Sequence, residues 1–314
     1  MFRLLIPAIA TSLALSNFVA AWSLTDTFQG SGFLNDFSFF TGTDPTSGRV
    51  VYVSKSTAQN KGLAYVQNGN FIARVDNTTT LSSSGAGRNS IRISSNKQWG
   101  QHVSIYNILH MPHGCATWPA VWERGDNWPA GGEIDIVEGV NNQASDSVTL
   151  HTSSGCSMPA SRTMTGTHTG LVCDSSKTSN AGCGVTINDG SSYGTGFNNN
   201  GGGWYAVERS STFIKVWFWA RDSSSVPSEV RNGAGSINPG NWGVPDAYFP
   251  NTNCNIDSHF GPANIIINID LCGSWAGSAY GSSGCPGSCD SYVNSNPAAF
   301  TSAYFSFAWV KVYQ

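Results

Sequence analysis

Three acids stand in one short run, Gly131-Gly132-Glu133-Ile134-Asp135-Ile136-Val137-Glu138-Gly139. Aliphatic residues separate them. Residues two apart on a strand face the same way, so Glu133 and Asp135 share a face while Ile134 and Ile136 turn to the core. Glu138 lies five positions after Glu133, and a regular strand would send it to the wrong side. One extra residue in a β-bulge brings it back, and the spacing predicts that bulge around Ile136-Val137. The two Glu backbones are then roughly four strand steps apart, about 13 Å at about 3.3 Å per residue. Side chains leaning inward would bring the carboxyls to roughly 5–6 Å, close to the about 5–5.5 Å that suits one carboxylate as nucleophile and one carboxylic acid as proton donor at a glycosidic bond. An inverting pair needs a wider gap to admit water. Three carboxyls on one face cannot all ionise cheaply, so the cluster should hold a proton near neutrality. That mixed state is the one such chemistry requires, with Asp135 sharing a proton with Glu133 and orienting it. An exposed polar strand face would usually mix Lys, Arg or Thr with its acids. No cation lies within this strand, and Trp118, Trp122 and Trp128 precede it closely.

The aromatic residues point the same way. Eleven Trp is a high count, and the C–H faces of sugar rings stack on indole. Trp128, in a Pro/Gly-rich loop beside the acids, and Trp275, in Cys272-Gly273-Ser274-Trp275-Ala276-Gly277, are the expected platforms. Trp122 is a further candidate contact. Trp217 and Trp219 suit either a platform or the core, and core packing is the expectation for the rest. His151 falls on the strand expected after the acidic one, where it would hydrogen-bond the acids or a sugar hydroxyl, or simply be a satisfied structural His. No G-x-S-x-G run supports a serine nucleophile.

A rigid sheet must hold these groups. Helical periodicity is nearly absent, and alternating runs predict strands over 49–54, 70–76, 90–94, 101–111, 213–219, 263–271 and 304–313. In Phe213–Trp219 one face carries Ile214, Val216 and Phe218; the other carries Phe213, Lys215, Trp217 and Trp219. Clusters of Gly, Asn and Ser separate the runs. No repeat or linker-like shift divides the chain, so residues 22–314 are expected to form one all-β domain: an antiparallel sandwich with a concave face for an extended polymer.

Composition bounds the partners. Charged residues make up 11% of the chain, with a net charge of −3 and no basic run. Nothing there argues for nucleic acid, and a neutral polysaccharide fits better than a sulfated one. Residues 1–21 read as a signal peptide: Arg3, an apolar run from Leu4 to Leu15, then Val19-Ala20-Ala21. A membrane anchor needs about 20 apolar residues, and this run is shorter and holds Pro7. The C-terminal end has no hydrophobic tail for a lipid anchor. A secreted, extracellular protein without membrane attachment is expected, and a monomer. Eight Cys allow four disulfides, with Cys285 and Cys289 close enough for a local clip. Zinc is disfavoured because no paired C-x-x-C set is present. Asn77-Thr78-Thr79 is an N-glycosylation acceptor.

On the acidic run, the chain resembles glycoside hydrolase family 16, whose pattern E-[ILV]-D-x-(x)-E matches Glu133 to Glu138 in its longer, bulged form. Trp118-Pro119-Ala120, Trp128-Pro129-Ala130-Gly131-Gly132 and the tract from Ile265 to Gly277 resemble it too. The likeness spans the mature chain and is nearest to fungal laminarinase-type endo-1,3(4)-β-glucanases. It implies a jelly roll with a substrate cleft, Glu133 as nucleophile, Asp135 as assisting acid and Glu138 as acid/base. It also implies β-1,3-glucan, or mixed β-1,3/1,4-glucan, as substrate, and no cofactor or catalytic metal. A structural calcium on the convex face is common in the family. Ser274 departs from the Gly-Asp-Trp that related fungal sequences often carry. Two rivals remain on the same fold: a cell-wall glucan transglycosylase, and a non-enzymatic β-glucan lectin, which would need Trp but not both Glu.

Overall fold

The computed structural model describes residues 21–314, so the expected leader, but for its last residue, lies outside them. Two antiparallel sheets, of nine and eight strands, face each other, in agreement with the expected jelly-roll sandwich. A short parallel pair, Val50–Tyr52 with Arg88–Ser90, stands apart.

The eight-stranded sheet carries the acids. Its order runs Thr167–His168, Cys183–Thr186, Ser147–His151, Glu133–Glu138, Thr117–Gly125, Ala263–Leu271, Arg92–Ser95 and Phe37–Phe39. The acidic strand thus has three neighbours on one side and four on the other, and cannot move without its sheet.

Alternation divides the faces of this sheet. Ile134, Ile136, Val121, Ile265, Ile267 and Ile269 point into the main core, opposite Tyr106, Ile108, Tyr205 and Val216 of the other sheet. Fully burying one such side chain contributes about 1.5–3 kcal/mol, so the register of the acidic strand is fixed from behind. A slip by one residue would bury the acids and expose the isoleucines. One polar link crosses the core: Glu123 Oε1 lies 3.0 Å from His102 Nε2 and accepts from Ser104 at 3.1 Å.

Strands 263–271 and 304–313 lie where alternation puts them. The run 90–94 does not form one strand. It is interrupted at Ile91, and Arg88–Ser90 and Arg92–Ser95 serve different sheets. Trp217 and Trp219 pack against Trp242 at 5.2 and 5.7 Å, in a second apolar cluster on the outer side of the nine-stranded sheet. They are core residues.

All eight Cys pair, as Cys115–Cys285, Cys156–Cys254, Cys173–Cys183 and Cys272–Cys289. The expected Cys285–Cys289 clip is therefore incorrect. The Cys289–Ser295 helix turns Cys289 back to the end of the Ala263–Leu271 strand, and Cys285 reaches Cys115 instead. Both bridges tie the 272–289 loop to the sheet that carries the acids.

Candidate active site

Register shows how the acids come together. On the Thr117–Gly125 strand, Arg124 lies opposite Glu133 and Trp122 opposite Asp135, but the pairing then skips Ile136. Val137 meets Val121 and Glu138 meets Ala120. Ile136 is the extra residue of a bulge, where the five-residue spacing required one. Glu133, Asp135 and Glu138 therefore share the face away from the core, while Ile134, Ile136 and Val137 all stay in it.

Gly132 sets the entry to this strand. Its φ is +77°, and a Cβ there would meet the Phe260 ring at 2.4 Å and the His259 carbonyl at 2.5 Å. Only glycine satisfies both demands.

His151 lies opposite Glu133 on the next strand, and its Nε2 is 3.3 Å from Asp135 Oδ2. One donor atom each from Glu133, Asp135 and His151 falls within 4.8 Å of the others. The three groups thus converge on one point, although no hydrogen bond joins Glu133 to Asp135. Asp135 is buried, and both Glu are half-buried at its sides.

Burial first, and then the Asp135 charge, lift the Glu133 carboxyl to about 8, while His151 acts against this. Burial likewise pushes Asp135 to about 8. Glu138 is raised to about 8 by burial and by Asp135, while the Trp118 indole draws it down. The three titrate as one coupled group and release protons stepwise. The cluster is therefore largely protonated near neutrality, and its first proton loss leaves one carboxylate beside two carboxylic acids.

The expected contact residues fall into two sets. Trp128 is exposed in its loop. Trp275 is half-buried, with its ring at 86° and 5.7 Å from Trp118. Trp122 is buried in the floor. Its N–H donates to Asn268 at 2.7 Å, and the Arg92 guanidinium lies 5.1 Å from its ring.

Sequence reasoning missed Trp118 as a site residue. Its indole N–H donates to Glu138 Oε1 at 2.8 Å. The clue was its place two residues before Ala120 on the same face, which becomes visible only once register is known. Arg92, held between Phe40 at 4.9 Å and Trp122, was also missed.

The Trp118 contact makes a prediction. An N–H donor favours the ionised carboxylate, so Trp118→Phe should raise the Glu138 pKa further. A charge-assisted hydrogen bond contributes about 1.5–3 kcal/mol, so the alkaline limb of kcat/KM should move up by about one to two pH units. The pH–rate profile of the variant checks this; an unmoved or lowered limb contradicts it.

A profile of the XgeA-like catalytic domain of glycoside hydrolase family 16 matches residues 37–313. The chain belongs to glycoside hydrolase family 16. It is 42% identical to a probable endo-1,3(4)-β-glucanase of Aspergillus niger, over 96% of this chain and 42% of that protein. It is 43% identical to a probable glycosidase of Schizosaccharomyces pombe over 93% of this chain, and it spans 69% of that protein's length but only 42% of the Aspergillus niger relative's. Laminarinase 16A of Phanerochaete chrysosporium, solved with β-glucans in donor and acceptor sites, superposes with a TM-score of 0.93 at 53% identity, covering 94% of this chain and all of that one. An elongating family 16 β-1,3-glucosyltransferase superposes at 0.88 with 38% identity, over 93% of this chain and all of that one.

Proposed function

We propose that this protein is a secreted endo-hydrolase of β-1,3- and mixed β-1,3/1,4-glucans that retains anomeric configuration. The bulge at Ile136 carries this reading, because it sets two glutamates on one face with an aspartate between them. The ionised Glu133 attacks the anomeric carbon. Glu138 gives its proton to the departing glycosidic oxygen, and the C–O bond breaks to leave a glycosyl ester on Glu133. Water then loses a proton to the Glu138 carboxylate and attacks the same carbon, which frees Glu133. Asp135, with His151 behind it, holds the proton that keeps Glu133 oriented. Trp128 and Trp275 stack sugar rings on either side. The laminarinase neighbour and the curated glucanases support β-glucan as the polymer. Four disulfides accord with export.

The test is a product profile. Laminarin and lichenan should yield oligosaccharides from internal cleavage, and xyloglucan should yield none. No reducing ends from laminarin would overturn the reading. A second reading rests on the glucosyltransferase neighbour, since sugar in place of water would complete the same second step. Products longer than the donor, at high oligosaccharide concentration, would favour it.

A further inference from the structure

One buried acid near the site has no part in the chemistry above. Asp146 is 0% exposed and lies outside the strand that carries the three acids. Its Oδ1 accepts the backbone N–H of Glu138 at 2.8 Å. Its Oδ2 has no hydrogen-bond partner. The residue itself is clamped: its N–H donates to Ser192 Oγ at 3.0 Å, and its carbonyl accepts from the Ile187 N–H at 3.0 Å. Ser192 is pinned in turn by the Asp189 carbonyl at 2.6 Å and by the Tyr205 hydroxyl. The next residue after Glu138 is also held. A Cβ on Gly139 would lie 2.6 Å from the Tyr193 ring, so that ring is seated directly against the Gly139 backbone.

These contacts fall where the strand needs them. Pairing with the Ser147–His151 strand stops at Asp135, so although Glu138 still faces Ala120 on the other side, its N–H goes to Asp146 instead of that strand. Without an acceptor it would be a buried donor without a partner, and the Glu138 backbone would be free to rotate. We propose that Asp146 is a positioning residue for Glu138: it fixes the backbone from which the acid/base carboxyl projects, and so fixes the proton's line of approach to the leaving oxygen. This rests on the reading of Glu138 as acid/base. Burial also pushes the Asp146 carboxyl well above the usual range. That shift disfavours a second anion behind Glu138, and an amide oxygen can replace the carboxyl as acceptor.

A purely structural residue would weaken all substrates alike. A residue that aims the proton donor matters only where the leaving group needs a proton. Three variants are therefore compared with Glu138→Gln on laminarin and on 2,4-dinitrophenyl β-laminaribioside with azide, whose leaving group needs no acid and whose second step needs no base. For Asp146→Ala, kcat on laminarin should fall about 30- to 100-fold, within the range of general acid catalysis. Its KM should change less than about twofold, and dinitrophenol release less than about threefold. Asp146→Asn keeps the acceptor and should recover at least about tenfold of the loss. Ser192→Ala, which frees the Asp146 backbone more gently, should show the same split on a smaller scale, and it serves if Asp146→Ala does not fold. Equal losses on both substrates in Asp146→Ala or Ser192→Ala would overturn the inference. So would an Asp146→Asn enzyme as impaired as the alanine variant. Glu138→Gln must itself show the split. If it does and Asp146→Ala does not, this inference alone falls. If it does not, the acid/base assignment falls first.

Discussion

Glu133→Gln should lower kcat on laminarin by at least about 10⁴-fold, the scale on which removal of a covalent nucleophile is felt, while making the protein more stable at pH 7. An amide cannot form the glycosyl ester, and no other described carboxyl occupies its place on the strand. The stability gain follows from the same burial that tunes the site. Burial and Asp135 hold the folded pKa at about 8, against about 4.3 for an unfolded glutamate. Between those values the folded state binds more protons than the unfolded state, so stability falls as pH rises through that window. Glutamine carries no charge and is spared this loss. Each kcal/mol recovered raises Tm by roughly 2–4 °C in a domain of this size. Thermal melts should show the variant above the native protein at pH 7 and level with it near pH 4. A lower Tm at both pH values would show that the Glu133 charge stabilises the fold, contrary to this account.

Glu138→Gln is the second large effect. General acid catalysis contributes about 10²–10⁴-fold, and laminarin turnover should fall by that amount. The fold should persist, because Ile136, Val137 and the Asp146 contact remain. Acceptance of the Trp118 N–H can pass to the amide oxygen. The native enzyme should lose activity as pH rises past about 8, where Glu138 surrenders the proton it must donate. The variant should lose that alkaline limb, since it has no proton to surrender. A variant with the full native pH profile would place the acid elsewhere.

Much of this was legible in the residues. The five-residue spacing demanded a bulge, because Glu138 could reach the shared face in no other way, and Ile136 is the residue the pairing skips. The strands Ala263–Leu271 and Tyr304–Tyr313 were plain from β-branched and aromatic alternation. What escaped depended on distant segments meeting. Trp118 reaches Glu138 only because Ala120 sits opposite that residue. Asp146 comes from a loop whose return path no local pattern records. Cysteine spacing suggested a clip at 285–289, but the helix beginning at Cys289 turned it toward Cys272. Trp217 and Trp219 alternate as an open face would, and were claimed by a second apolar layer that periodicity cannot distinguish from solvent.

The central claim is the division of labour between Glu133 and Glu138, and the configuration of a trapped product tests it most directly. Glu138→Gly leaves room for azide on the face from which water attacks. With an activated β-laminaribioside and azide, the Glu133 ester should be intercepted to give the β-glycosyl azide, identified by the anomeric proton coupling. An α-glycosyl azide would mean a single inverting displacement, with Glu138 itself the missing nucleophile, and would contradict the roles assigned to both residues.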